Sequence, residues 1–273
     1  MNTRSPRWIP YLVGSVALIW IIPILGIVVL SIRPLSETTL GWWQVDELSF
    51  TLNAWKVVWD KYPLAQAFWV SVKITTLATL IPVLLAPAGA YAFHFLKFRF
   101  RRVLLIIIIN AFVLPNQLVV IPLFRLWREL GLIDNIWAVI IPSAGLSFAW
   151  AVFLVKNYLE DFPKELIEAA TVDGCGPIGR FFHIVLPNSL TPIAAVAILQ
   201  FLWTWNGLLL PIVFLRSEIP LTALLARIQG VYDLNWDQVS VVAIVTTIVP
   251  LIIFIVFQRY FTSAASNRSG SKE

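Results

Sequence analysis

Glu168-Ala169-Ala170-Thr171-Val172-Asp173-Gly174, followed by Ile184-Val185-Leu186-Pro187, is a polar, charge-bearing island between two long apolar runs. Catalysis, metal binding and partner docking are the chemistries to weigh for it. Gly174-Cys175-Gly176-Pro177-Ile178-Gly179-Arg180-Phe181 has the glycine spacing of a phosphate-binding P-loop. That loop needs Lys and then Ser or Thr where this chain has Arg180 and Phe181. Pro177 also removes one N–H from the would-be cradle, so nucleotide binding is excluded here. His94 and His183 lie far apart without zinc-ligand spacing, and each reads as an interfacial residue. Cys175 is the single cysteine, so there is no internal disulfide, and it reads as a small packed residue. No carboxylate pair and no Ser/His/Asp arrangement is evident outside the apolar runs, and no catalytic residue or metal ligand is assigned. Docking remains.

The island predicts two short helices. Pro163 suits a first helical position, and Asp161 and Glu165 complement the positive helix end. Leu166, Ala169, Ala170 and Asp173 then share one face, where two small alanines permit close approach. Gly174 and Gly176 break that helix, Pro177 starts the next, Phe181, Ile184 and Val185 form its apolar stripe, and Pro187 ends it. Two further sets of residues could line a solute pathway. Lys73 lies within an apolar run, where its ammonium either snorkels outward or faces a water-filled cavity. Trp203, Trp205 and Asn206 combine aromatic faces, which stack on sugar rings, with an amide donor and acceptor; packing or interfacial placement is the alternative.

The elements that carry these residues follow from composition. Of 273 residues, 59% are hydrophobic and only 13% charged, with a mean hydropathy of +0.83. Soluble domains keep about a quarter of their residues charged. Stretches 8–32, 74–93, 103–124, 135–155, 181–215 and 238–258 each lack Asp, Glu, Lys and Arg. Each is long enough to cross a hydrocarbon core that needs about 20 helical residues. The predicted fold is therefore an all-α integral membrane protein with six transmembrane helices. They run over Tyr11–Ile32 (bent at Pro23), Phe68–Phe93, Val103–Pro122, Asn135–Val155, Thr191–Leu215 and Gln238–Phe257, with a short interfacial helix over Leu123–Leu132. The outer segments are a cytoplasmic N-terminal segment (1–10), an external loop (33–67) rich in tryptophan, and a serine-rich cytoplasmic tail (259–273) without regular structure. With both termini on one side, that side carries 12 basic against 6 acidic residues and the other side 8 against 9. The positive-inside rule puts the termini and the island in the cytoplasm, which accounts for the basic balance without nucleic acid.

The order Glu-Ala-Ala, three residues, Gly, nine residues, Ile-x-Leu-Pro resembles the signature loop of type I ABC importer permeases. Glu168, Ala169, Ala170, Gly174, Ile184, Leu186 and Pro187 match it without a gap. Ala90-Tyr91-Ala92-Phe93, Pro122-Leu123-Phe124, Phe162-Pro163-Lys164-Glu165-Leu166, Trp205-Asn206 and Gln258-Arg259-Tyr260-Phe261 are similar to the carbohydrate branch of the maltose-transport G-subunit kind. Gly41-Trp42-Trp43 resembles its α-glucoside and glucosylglycerol subset. The resemblance implies the type I permease fold, with a core over 68–258 and coupling helices within 158–187. It implies a non-catalytic subunit of the bacterial inner membrane that binds no cofactor of its own. Its partners would be an F-type permease, two ATPase subunits that use ATP and magnesium, and an external solute-binding protein. Glu168, Ala169, Ala170, Asp173, Gly174, Ile184, Leu186 and Pro187 would couple to the ATPase, and Arg216–Asp237 would reach toward the binding protein. The end, Thr262 to Glu273, departs from the glycine-rich tail common in this branch, so no tail contact carries over. Glycerol phosphate or another polar solute is the alternative cargo, and an ATP-independent channel or scaffold the alternative machine.

Overall fold

The computed structural model describes residues 8–38, 41–43, 49–113, 115–229 and 235–269. Residues 1–7, with Arg4 and Arg7, lie outside the described residues, as do parts of both outer loops and residues 270–273. Every regular element among the described residues is helical. In chain order they are α1 (Ile9–Ser31), α2 (Leu35–Thr38), α3 (Asn53–Lys61), α4 (Leu64–Phe95), α5 (Arg101–Val113), α6 (Asn116–Glu129) and α7 (Trp137–Glu160). Then come α8 (Lys164–Val172), α9 (Pro177–Arg180), a π-helical turn (Phe181–Val185), α10 (Leu186–Asn188) and α11 (Leu190–Trp205). The last are α12 (Leu209–Phe214), α13 (Leu221–Ile228) and α14 (Trp236–Ser269). Four helices are long and apolar enough to cross a membrane, or up to six if each of two bent pairs is one span. The bent pairs are α5 with α6, and Pro177–Asn188 with α11.

Several expectations require correction. The third span is two helices, because Pro115 lacks an amide hydrogen and takes an extended conformation (φ −61°, ψ 131°) as the N-cap of α6. The amphipathic segment expected from Leu123 therefore begins at Asn116. The fifth span also breaks: Asn206 caps α11, its amide Nδ2 donating back to the Leu202 carbonyl at 2.8 Å, and α12 starts afresh at Leu209. The tail is helical through Ser269. No proline or glycine interrupts residues 251–269, so α14 propagates at one hydrogen bond per residue.

The chain divides into two compact units, Met1–Ala65 with Ala223–Ile248 and Gln66–Thr222 with Val249–Glu273. In the first, α1 is apolar along its length and largely exposed, as a lipid-facing helix is. Arg33, just past its end, is 1% exposed and would be costly without partners. It donates to Glu37 Oε2 at 3.1 Å and to the Trp42 carbonyl at 3.5 Å, which folds the following segment back onto it. The Ser49 hydroxyl and amide donate to the same Glu37 carboxylate.

In the second unit α4 and α7 approach closely over small residues. A Cβ on Gly89 would lie 3.1 Å from Val152 Cγ2, and Ala86, Ala90 and Ala151 are fully buried nearby. Such small-residue seams let transmembrane backbones gain dispersion contacts where no hydrophobic drive exists between helices. Asp134, between α6 and α7, adopts φ +63° and accepts the Arg216 amide at 2.7 Å and the Ser217 amide at 2.9 Å, with the Ser217 hydroxyl on its other oxygen. These hydrogen bonds hold its carboxyl down at about 2. Because the folded value lies below the ordinary 3.8, the clasp contributes its full stability above pH ~4 and loses it as pH falls toward ~2. Asp134→Ala is expected to remove that leg of the acid transition, read by helical circular dichroism in detergent between those pH values.

Candidate functional site

The island is built on the far end of the α4–α7 pair. Phe162, directly after α7, is buried and meets Phe95 edge-on at 6.2 Å. Pro163 is the N-cap of α8 rather than its first helical residue, with Lys164 taking that place. Ile167 and Ala170 form the buried face of α8. The expected shared face of Leu166, Ala169, Ala170 and Asp173 is thus divided. Ala170 is inside, whereas Leu166, Glu168, Ala169 and Asp173 are exposed.

The end of α8 is locked. The Cys175 amide reaches back to the Ala170 carbonyl at 2.9 Å and the Gly174 amide to Thr171 at 3.1 Å, the paired bonds of a Schellman cap. Gly174 supplies the required left-handed conformation at φ +78°. A Cβ there would meet nothing within 4 Å. Gly174→Ala is therefore a purely torsional change, expected to cost about 1–2 kcal/mol in thermal or denaturant unfolding.

The second helix of the island has the expected inner face, with Phe181 and Val185 buried and Ile184 packed against the same cluster. The Tyr91 ring lies 5.4 Å from Phe181, and its hydroxyl donates to the Pro177 carbonyl at 2.9 Å. Arg180 Nη1 donates to Thr171 Oγ1 at 2.8 Å and ties the two helices together. The arginine at the false phosphate position thus has a structural bond. Pro187 does not end the helix. The Leu186 amide bonds to the Phe181 carbonyl five residues back, a π turn that helps accommodate the proline ring, and the helix ends at Asn188. Leu186 is half-buried and Pro187 exposed. The island thus has an inner face clamped to α4 and α7. Its outer face presents Glu168, Ala169, Val172, Asp173, Ile178 and Phe182.

A second feature lies within the same unit. A cavity of about 720 Å³ opens among α4, α6, α7, α11 and α12. Its wall includes Ser71, Thr75, Gln117, Ser147, Trp150 and Trp203. No Asp, Glu, Lys, Arg or His is among the lining residues. Trp203, 71% exposed overall, and Trp205, buried and stacked on Phe201 at 5.8 Å, both line it. Lys73 and Asn206 do not: Lys73 is exposed outside the lining, and Asn206 serves as a helix cap. Sequence reasoning missed Trp150 and the hydroxyl and amide residues of the wall. Thr75, Gln117, Ser147 and Trp150 carried a signal as neutral polar residues inside charge-free runs, each of which needs a hydrogen-bond partner or water.

Comparison with known proteins adds an independent finding. Residues 78–267 match the family described as binding-protein-dependent transport system inner membrane component. The osmoprotective compounds uptake permease protein GgtD of Synechocystis is 34% identical over 273 residues, covering 95% of this chain and 92% of that protein. The alpha-glucoside transport system permease protein AglG of Rhizobium meliloti is 35% identical over 219 residues, covering 77% of this chain and 58% of its own. Among solved structures, a bacterial ABC transporter involved in the import of the acidic polysaccharide alginate shares the fold. It has a TM-score of 0.77 at 24% identity, over 96% of this chain and 100% of that one.

Proposed function

The chain belongs to the family of binding-protein-dependent transport system inner membrane components, and from that premise we propose that it is one permease subunit of an ATP-driven importer for an uncharged carbohydrate, such as an oligosaccharide, an α-glucoside or a glucosyl-polyol. A second, F-type permease supplies the other half of the pathway, two ATPase subunits bind the island, and an external solute-binding protein delivers cargo. The termini and the island lie in the cytoplasm. ATP and magnesium stay with the ATPases.

The observation that carries this reading is the division of the island into an exposed face, with Glu168 and Ala169, and an inner face clamped on the transmembrane helices. A partner that moves the outer face must also move α4 and α7. ATP drives transport only if the ATPases have different affinities for the two permease states, and this construction supplies the linkage. The cavity supports a neutral cargo, since hydroxyls, amides and indoles line it without any formal charge. An anion such as glycerol phosphate would gain no counter-charge from this chain's wall.

The test is calorimetry of the importer's binding protein against a panel of sugars, followed by uptake into vesicles bearing all subunits. Binding of a neutral sugar and uptake that requires ATP are expected. Uptake that runs without ATP would restore the channel reading. A binding protein that takes only anions would remove the carbohydrate assignment. For orientation, alkaline phosphatase fused after Glu273 is expected to be inactive, and an active fusion would invert the topology.

A further inference from the structure

Gln200 is the polar residue in the middle of α11, whose neighbours Ala197, Ile198, Leu199, Phe201 and Leu202 are apolar. It is 1% exposed, so its amide must find partners within the protein. It finds two. Its Oε1 accepts the Trp150 indole N–H at 3.0 Å, and its Nε2 donates to Thr204 Oγ1 at 2.8 Å. An indole nitrogen only donates, which orients the amide: oxygen toward Trp150 and nitrogen toward Thr204. The Thr204 oxygen therefore accepts from Gln200 and keeps its own hydrogen to give elsewhere. Both partners line the cavity, and Gln200 does not.

The geometry points to Gln200 as the positioning residue of a binding site for a neutral, polyhydroxylated ligand. It fixes the plane of Trp150 as a stacking platform and holds the Thr204 hydroxyl on the cavity wall with its hydrogen still available to give. The inference rests on the sugar-permease reading above and names the part of the wall that meets the cargo. An aromatic ring held by its N–H is a pre-organised platform, because its orientation costs no further entropy when ligand arrives. A hydroxyl that accepts from Gln200 still has its hydrogen and one lone pair, so it can give to a sugar oxygen or take from a sugar hydroxyl. A carboxylate or phosphate ligand gains no cation from this arrangement.

The experiment uses the complete importer in vesicles, with maltose, sucrose and trehalose as probes at saturating binding protein. Gln200→Leu is expected to lower sugar uptake roughly tenfold, the effect of one lost positioning interaction. ATP hydrolysis stimulated by binding protein is expected to stay at the unsubstituted level. Trp150→Phe keeps an aromatic ring and removes the donor, and it should give a similar loss. Combining the two should add little, because both cut the same link. Normal uptake in both single variants would overturn the proposal. So would uptake and ATP hydrolysis falling together in both, which is the mark of a packing role only. If calorimetry shows that the importer's binding protein takes no neutral sugar, the sugar reading itself fails and takes this inference with it.

Discussion

Glu168→Lys is expected to abolish ATP-dependent uptake while the chain still inserts and folds. Glu168 lies on the exposed side of α8, and the buried side is held separately by Ile167 and Ala170. Reversing its charge therefore leaves the inner packing intact. At a docking surface the effect is large. Losing one member of a desolvated charge pair costs about 2–5 kcal/mol, or roughly 30- to several-thousand-fold in affinity, and reversal adds repulsion. Co-purification of the ATPases with the tagged chain should fall accordingly, while its thermal unfolding midpoint stays in place. Wild-type uptake by this variant would show that the exposed face of α8 is not the docking surface.

Phe181→Ala is expected to have the opposite signature. Phe181 is buried against Tyr91 and belongs to the cluster that joins the island to α4 and α7. Truncating a buried phenylalanine costs about 3–5 kcal/mol through lost transfer energy and the cavity left behind. Phe181 is 9% exposed, at the edge of its cluster, so the lower figure applies. The unfolding midpoint should drop clearly. The outer face of α8 is unaltered, so the ATPases should still co-purify. Their hydrolysis should continue with little uptake, because the clamp between docking face and transmembrane helices has been loosened. Together the two variants separate docking from transmission. If Phe181→Ala lost the ATPases as completely as Glu168→Lys, the two faces would not be functionally distinct.

The membrane helices were legible because charge is so costly in hydrocarbon that its absence marks them. The existence of α1, α4, α7 and α14 follows from runs without Asp, Glu, Lys or Arg. Their interruptions were not legible by that criterion. Pro115 and the Asn206–Gly207 pair are uncharged, yet they end helices through backbone chemistry that a hydropathy scan does not weigh. Pro187 misled in the other direction. A proline after a regular α-turn stops a helix, but here a π turn precedes it, and a π turn has no clear sequence mark. The island itself was legible in its motif and its Gly174 bend. Its docking face was legible in part: Leu166, Ala169 and Asp173 stay outside as that face requires, whereas Ala170 packs inside with Ile167. Gln200 escaped notice because one neutral amide hardly changes the apolarity of a long segment. Its importance appears only when its two partners are seen on one wall.

The bend before α11 has a mechanical meaning. Pro177–Asn188 and Leu190–Trp205 meet at 70°, with Ser189 alone between them. One arm of this angle belongs to the island and the other carries Gln200, Trp203 and Thr204. The 16 residues of α11 make that second arm about 24 Å long at 1.5 Å per residue. With only one residue at the elbow, there is little slack in which a push could dissipate. A tilt of the inner arm by a few degrees would sweep the far end by an ångström or more. If the island docks the ATPases and the cavity holds the cargo, as proposed above, the same stretch of chain acts as a crank that carries the partner's stroke to the cavity wall.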